Sequence, residues 1–226
     1  MTDAPAAPGP VPAEAAELIC YDDDVAIGKD APSLSGLEFI GGDSFDVGGG
    51  KVTVITHFGN LNKADYVTLT VLSDFYQKYK DDCNFVAISR DHDKADAEKW
   101  YKKYNGTFMK EQTGPNGESG ANIRADFPVA YDSGHALNAS LKTVMGKSTV
   151  GVGLTIIVGR DGKIAWYETF GRGKNLTGQF EYQLNAIVKG TPLHSNGNAP
   201  EIVEEEVEGG EIQGDVDLLG GGDGNY

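Results

Sequence analysis

Between Val52 and Ile88 the apolar residues change period twice, and this switch restricts the chain to few architectures. Val52-Thr53-Val54-Ile55-Thr56-His57-Phe58 is a β-branched run bounded by Gly50 and Gly59, which predicts a buried strand. From Lys63 to Lys80 the apolar residues Ala64, Val67, Val71, Phe75 and Tyr79 recur every three or four positions, widened by Leu72 and Tyr76. That period predicts an amphipathic helix with a basic end. Phe85-Val86-Ala87-Ile88 then restores strand character. Strand, helix and strand in this order form a parallel pair whose crossover covers one sheet face, and right-handed crossover leaves few topologies.

The rest of the body continues the alternation. A second helix is predicted through Ala95, Trp100, Tyr101 and Tyr104, stopping at Asn105-Gly106. Phe127-Pro128-Val129-Ala130 opens a short extended segment, and Ala136 to Met145 reads as a helix ended by Gly146. Leu154 to Val158 and Lys163 to Tyr167 flank Arg160-Asp161-Gly162 as a hairpin, and Gln179 to Lys189 closes as a helix capped at Gly190. The predicted fold class is α/β, with a central mixed β-sheet covered by helices on both faces.

The ends differ from the body. The formal charge of −15 sits almost wholly at the termini: residues 1–30 hold seven acids and one Lys, residues 191–226 hold nine acids and no Lys or Arg, and the rest is balanced. Such a chain lacks the clustered cations that replace counterions on nucleic acid, so that partner class is excluded. Ala4-Pro5-Ala6-Ala7-Pro8-Gly9-Pro10 sustains neither helix nor sheet, and the last 26 residues mix acids with Gly220-Gly221-Gly222. We therefore expect a flexible acidic arm over 1–25, a globular domain over 26–190 and a disordered, acidic, Gly-rich tail over 191–226. Within the tail, Ile202, Val203, Val207, Ile212, Val216, Leu218 and Leu219 are spaced among the acids, as in segments that order on a partner. No apolar run reaches the length of a membrane span, and the Ala/Pro-rich start lacks a signal-peptide profile. With only two cysteines, the expected compartment is the cytoplasm.

Five segments of the body, taken together, resemble the redoxin branch of the thioredoxin-like proteins, which includes peroxiredoxins and thiol-disulfide reductases. Ile27-Gly28-Lys29-Asp30-Ala31-Pro32 is similar to that branch's G-x-x-A-P opening; Lys51 to Phe58 matches its first strand; Phe85 to Asp91, Phe127-Pro128-Val129 and Arg160-Asp161-Gly162-Lys163-Ile164 follow in the same order. The resemblance covers residues 27–190 and implies a thioredoxin-like three-layer sandwich. In the family a W-C-x-x-C turn opens the long helix. Counted without a gap from Lys51, the turn here reads Leu61-Asn62-Lys63-Ala64-Asp65, which puts Asn62 and Asp65 where the cysteines fall. Neither can attack sulfur, and a peroxidatic cysteine is equally missing from the turn. The family's cis-proline, which faces the cysteine turn, corresponds to Gly153 in Val152-Gly153-Leu154.

Asn62 and Asp65 have an ordinary role as helix N-cap and first-turn residues. Other candidates are weaker. His57 at the strand end could pair with Asp65 for acid-base chemistry. Asp91-His92-Asp93 with Asp96 has ligand-type side chains but lacks an EF-hand's glycine and bidentate Glu, and N-capping explains it. Asp22-Asp23-Asp24 reads as a solvated run, Gly48-Gly49-Gly50-Lys51 and Gly171-Arg172-Gly173-Lys174 as turns without P-loop spacing, and Asn105, Asn138 and Asn175 head N-x-S/T sequons. Cys83 precedes an apolar strand and reads as a buried thiol; Cys20 sits beside carboxylates that raise a thiol pKa; a disulfide between them stays open. No cofactor and no metal site is expected.

The function expected is that of a catalytically degenerate thioredoxin-like domain, a protein-binding or structural component of a larger assembly. Its partners would meet the tails or the 63–80 and 107–122 surfaces. The alternatives are a redox enzyme using Cys83 or Cys20 in a non-standard position, a non-thiol hydrolase built on His57 and Asp65, and an acidic cation-binding protein.

Overall fold

The computed structural model describes residues 24–59, 63–113, 119–151, 153–169 and 180–190. The elements run β1 (Glu38–Gly41), β2 (Val52–Phe58), α1 (Lys63–Tyr79), β3 (Cys83–Ser89), α2 (Lys94–Tyr104), β4 (Thr107–Thr113), β5 (Ser119–Ile123), β6 (Val129–Tyr131), α3 (Ala136–Met145), β7 (Leu154–Val158), β8 (Ile164–Thr169) and α4 (Glu181–Lys189). Six strands form one mixed sheet in the order β1-β6-β3-β2-β7-β8. β2, β3 and β6 are parallel, while β1, β7 and β8 are antiparallel to their neighbours. Every residue of β2 is buried, which is why its sequence is a continuous apolar and β-branched run.

Strand pleating sorts the core into two layers. On one face Val54, Phe58, Phe85, Ala87 and Trp166 meet Leu69, Leu72 and Phe75 of α1, Trp100 of α2 and Leu184 of α4. The Phe58 and Trp100 rings pack 4.7 Å apart. On the other face Ile55, Val86, Ile88 and Ile156 meet Leu137, Leu141 and Met145 of α3 together with Ala26 and Leu34. The expected three-layer α/β sandwich with a central mixed sheet is what the chain forms.

The chain entry is fastened to the last strand. Gly28 N–H donates to the Ile164 carbonyl (2.8 Å), Ala31 N–H to Gly162 (2.9 Å) and Ile164 N–H back to Lys29 (2.8 Å). Asp24 accepts from the amides of Ala26 and Ile27 and from the Tyr167 hydroxyl. The arm and tail otherwise lie outside the described residues.

Two elements differ from the sequence reading. The polar 107–122 stretch is not a plain surface loop: β4 and β5 pair as a two-stranded antiparallel sheet. Its following segment lies along α1, with Thr70 Oγ1 donating to the Asn122 carbonyl and Ser73 Oγ to that of Arg124. In return the Asp126 amide donates to Ser73 Oγ at 3.0 Å. Consequently Thr68 to Ser73 are all buried, and among the described side chains of α1 and its end the exposed ones are Asp74, Gln77, Lys78 and Lys80. β1 was also not foreseen; it pairs with the end of the sheet at β6.

Candidate functional site at the carboxyl edge of the sheet

The parallel strands β2, β3 and β6 all end at one edge, the usual side for chemistry in open α/β sheets. There β2 gives way to α1 and the chain enters β7. Gly153 N–H donates to the His57 carbonyl at 2.8 Å, joining the β7 entry to the end of β2. Gly153 has φ +80°, a value closed to proline, whose ring holds φ near −65°. No cis peptide bond occurs among the described residues. The backbone at Gly153 is thus built for glycine. Asp65 falls in the first turn of α1, as its N-terminal preference requires. Asn62, Val152 and the side chain of Asp65 lie outside the described residues.

A polar row crosses the sheet just beneath this edge. Thr56 on β2 stands opposite Thr155 on β7, and Thr155 stands opposite Glu168 on β8. The two threonine hydroxyls hydrogen-bond at 2.9 Å in a buried setting. Glu168 shares its parity with Trp166 and therefore points to the α1 layer; its Oε2 is buried without a hydrogen-bond partner. Burial pushes its carboxyl pKa up to about 7, because a charge there has little water to solvate it. The row was missed in the sequence, although a Glu two positions after the inward Trp166 was the signal for it.

His57 goes the other way. Its parity is that of Ile55, so the imidazole enters the α3 layer, while α1 covers the opposite face. The sheet lies between the His57 imidazole and α1. The ring is 1% exposed, and burial, reinforced by the Arg90 charge, lowers its pKa to about 4. It is a neutral packing histidine at neutral pH.

Cys83 opens β3 opposite Val52, at the amino edge. The length of β3 separates it from the carboxyl edge by roughly 20 Å. It is a free thiol, 1% exposed, and burial followed by the charge of Asp82 pushes its pKa up to about 12. A thiol so placed is a poor nucleophile. Cys20 lies outside the described residues.

The remaining candidates resolve into structure. Asp93 caps α2, accepting from the Asp96 amide at 2.8 Å, and Asp91 accepts from Ser89 Oγ at 2.7 Å. Gly48 and Gly50, at φ +77° and +83°, form the turn into β2. Asn105 accepts from the Ala125 amide, Asn138 is buried in α3, and Asn175 and the 171–174 turn lie outside the described residues. Among the described residues no three His, Cys, Asp or Glu side chains converge as metal ligands. No described helix is long and apolar enough to cross a membrane.

No family model matches the chain, and no curated protein does. Solved structures do match. A protein assigned as the thiol:disulfide interchange protein DsbE from Chlorobium tepidum is 17% identical, covering 72% of this chain and 97% of its own, with a TM-score of 0.52. A hypothetical protein from Sinorhizobium meliloti 1021 is 16% identical over 76% of this chain and 88% of its own (TM-score 0.54). The C-terminal domain of a protein assigned as a thiol-disulfide oxidoreductase from Bacteroides thetaiotaomicron is 20% identical over 74% and 99% (TM-score 0.50). With its strand order, its helix on the carboxyl edge and these neighbours, the chain has a thioredoxin-like fold.

Proposed function

We propose that this chain is a catalytically degenerate thioredoxin-like domain that serves as a protein-binding or structural component of a larger assembly. The observation that carries this reading is the placement of its thiols. By the resemblance, Asn62 just before α1 and Asp65 in its first turn stand where the family has its cysteines, and the one described thiol, Cys83, is buried at the opposite edge. Function follows from the site, and without a nucleophile the retained scaffold serves recognition. The domain spans 26–190, the acidic arm 1–25 and the tail 191–226 carry apolar residues for docking, and the partner is a protein in the cytoplasm.

A second reading is a redox enzyme that uses Cys83 or Cys20 in a non-standard position, favoured because the matched structures include proteins assigned to thiol-disulfide chemistry. Disulfide-reductase and peroxidase assays on wild type and on a Cys20→Ser, Cys83→Ser variant separate the two. No turnover in either, with the same protein co-purified by both, supports the binding role. Turnover lost in the variant overturns it. Saturable calcium uptake by the full chain would instead favour the acidic cation-binding alternative.

A further inference from the structure

The amino edge of the sheet, opposite the candidate site, holds a pocket of about 420 Å³, an ordinary volume for a small-molecule site. It lies between the end of α1, the start of β3, Tyr101 of α2 and two loops, 42–45 after β1 and 125–128 before β6. Packing fixes its walls. The rings of Tyr76, Phe85 and Phe127 meet in a triangle, with centroids 5.7, 6.0 and 5.8 Å apart. Gly41 comes so close to Tyr101 that a Cβ would stand 2.5 Å from the ring, and at Gly42, with φ +79°, a Cβ would stand 2.8 Å from Pro128. The chain leaving β1 is thereby held against both residues. Phe85 and Phe127 are buried behind the pocket, while Tyr76, Tyr101 and Pro128 are partly exposed and give it accessible aromatic and apolar surface.

The pocket also carries charges of both signs. Asp126 is already engaged, accepting from Gln77 at 3.3 Å and from Arg124 at 3.2 Å. Asp43 and Lys80 are exposed, and neither makes an ion pair with a described residue; Lys80 has only the Gln77 amide oxygen, at 3.3 Å. A carboxylate and an ammonium thus line one pocket yet stand more than 4.0 Å apart, too far to neutralise each other directly. A ligand that fits this arrangement brings a ring for the wall, an anion for Lys80 and a cation for Asp43. We propose that the pocket binds a free aromatic α-amino acid, with its ring against Tyr76 and Tyr101, its α-ammonium on Asp43 and its α-carboxylate on Lys80. Inside a peptide an aromatic residue has lost one or both of these charges, so the free amino acid is the matching form. The site is remote from the turn before α1, and the inference holds whether the domain binds a protein or turns over a thiol substrate.

The test pairs ligand analogues with surface substitutions. Saturation-transfer NMR titrations of the full chain use L-phenylalanine, phenethylamine (no carboxylate), 3-phenylpropionate (no ammonium) and L-alanine (no ring). L-phenylalanine should bind saturably with a Kd of ~0.1–5 mM, as so small a ligand allows. It should bind ~2–5-fold more tightly than phenethylamine and than 3-phenylpropionate, the worth of one exposed ion pair in each case, and L-alanine should not compete. Lys80→Gln should abolish the advantage over phenethylamine and keep that over 3-phenylpropionate, and Asp43→Asn should do the reverse. Both positions are exposed, so the variants leave the packed core intact. No saturable binding of L-phenylalanine up to about 20 mM overturns the proposal. So does competition by L-alanine, an analogue that equals L-phenylalanine in wild type, or any pattern in the variants other than the reciprocal one.

Discussion

Replacing Glu168 by Gln should make the protein more stable, by an amount that grows as pH rises from about 5 to about 7 and then levels off. Glu168 keeps its proton in the folded chain up to about pH 7, against an ordinary 4.5. Its folded pKa is raised, so between these limits the unfolded chain has released the proton while the folded chain still holds it. Stability is therefore lost as pH rises from 4.5 towards 7, and stays lost above. The difference of 2.5 units, 7 minus 4.5, sets a ceiling of ~3.4 kcal/mol, and the solvent that still reaches part of the side chain lowers the expected effect to ~1–2 kcal/mol. Glutamine is neutral throughout, has nearly the same shape and removes the term. Urea unfolding of wild type and Glu168→Gln in parallel from pH 5 to pH 8.5 cancels all other titrations in the difference. We expect a small difference at pH 5 and a gain for the variant that reaches ~1–2 kcal/mol a little above pH 7 and stays level to pH 8.5. A difference that is flat across this range, or a variant that is less stable at high pH, would refute the placement of Glu168 in the buried row.

Other consequences are as direct. Cys83 should resist alkylation in the native chain and react at once in denaturant, as a buried thiol with a raised pKa must. Gly153→Ala forces a side chain into positive φ and should cost ~1–2 kcal/mol in chemical denaturation, and Gly153→Pro should cost more. Asp132 accepts the amides of Leu137 and Asn138, both at 3.0 Å, at the start of α3. Asp132→Ala should therefore cost ~1–2 kcal/mol, with faster hydrogen exchange confined to the first turn of that helix.

The elements that were legible in the sequence are those whose burial is uniform along their length. β2 and β3 are buried almost throughout and α1 carries a long stripe, so period alone located them. β4 and β5 were not legible because Lys110, Glu111, Gln112 and Ser119 read as loop, and their pairing depends on one another. β1 is four partly buried residues held by β6, with no run of its own to announce it. For the site, side-chain direction needed the strand register. His57 and Glu168 are each one or two positions from an obvious core residue, and a single step of parity decides which layer receives the group. That step turned His57 away from α1 and turned Glu168 towards it.

The backbone bonds between residues 28–31 and the β7–β8 hairpin join the first part of the domain to be synthesised to nearly the last. Their contact spans more than 130 residues of chain, so loop closure sets it late on any folding route and raises the mean sequence separation of the fold. On the ribosome, β2, α1 and β3 can collapse as soon as they emerge, whereas the entry segment must wait for Ile164. A nascent chain stalled before that strand would leave its own beginning unfastened and the flank of β2 that β7 normally pairs with open, which makes this clasp the last lock of the native state and the first to be withheld from a truncated one.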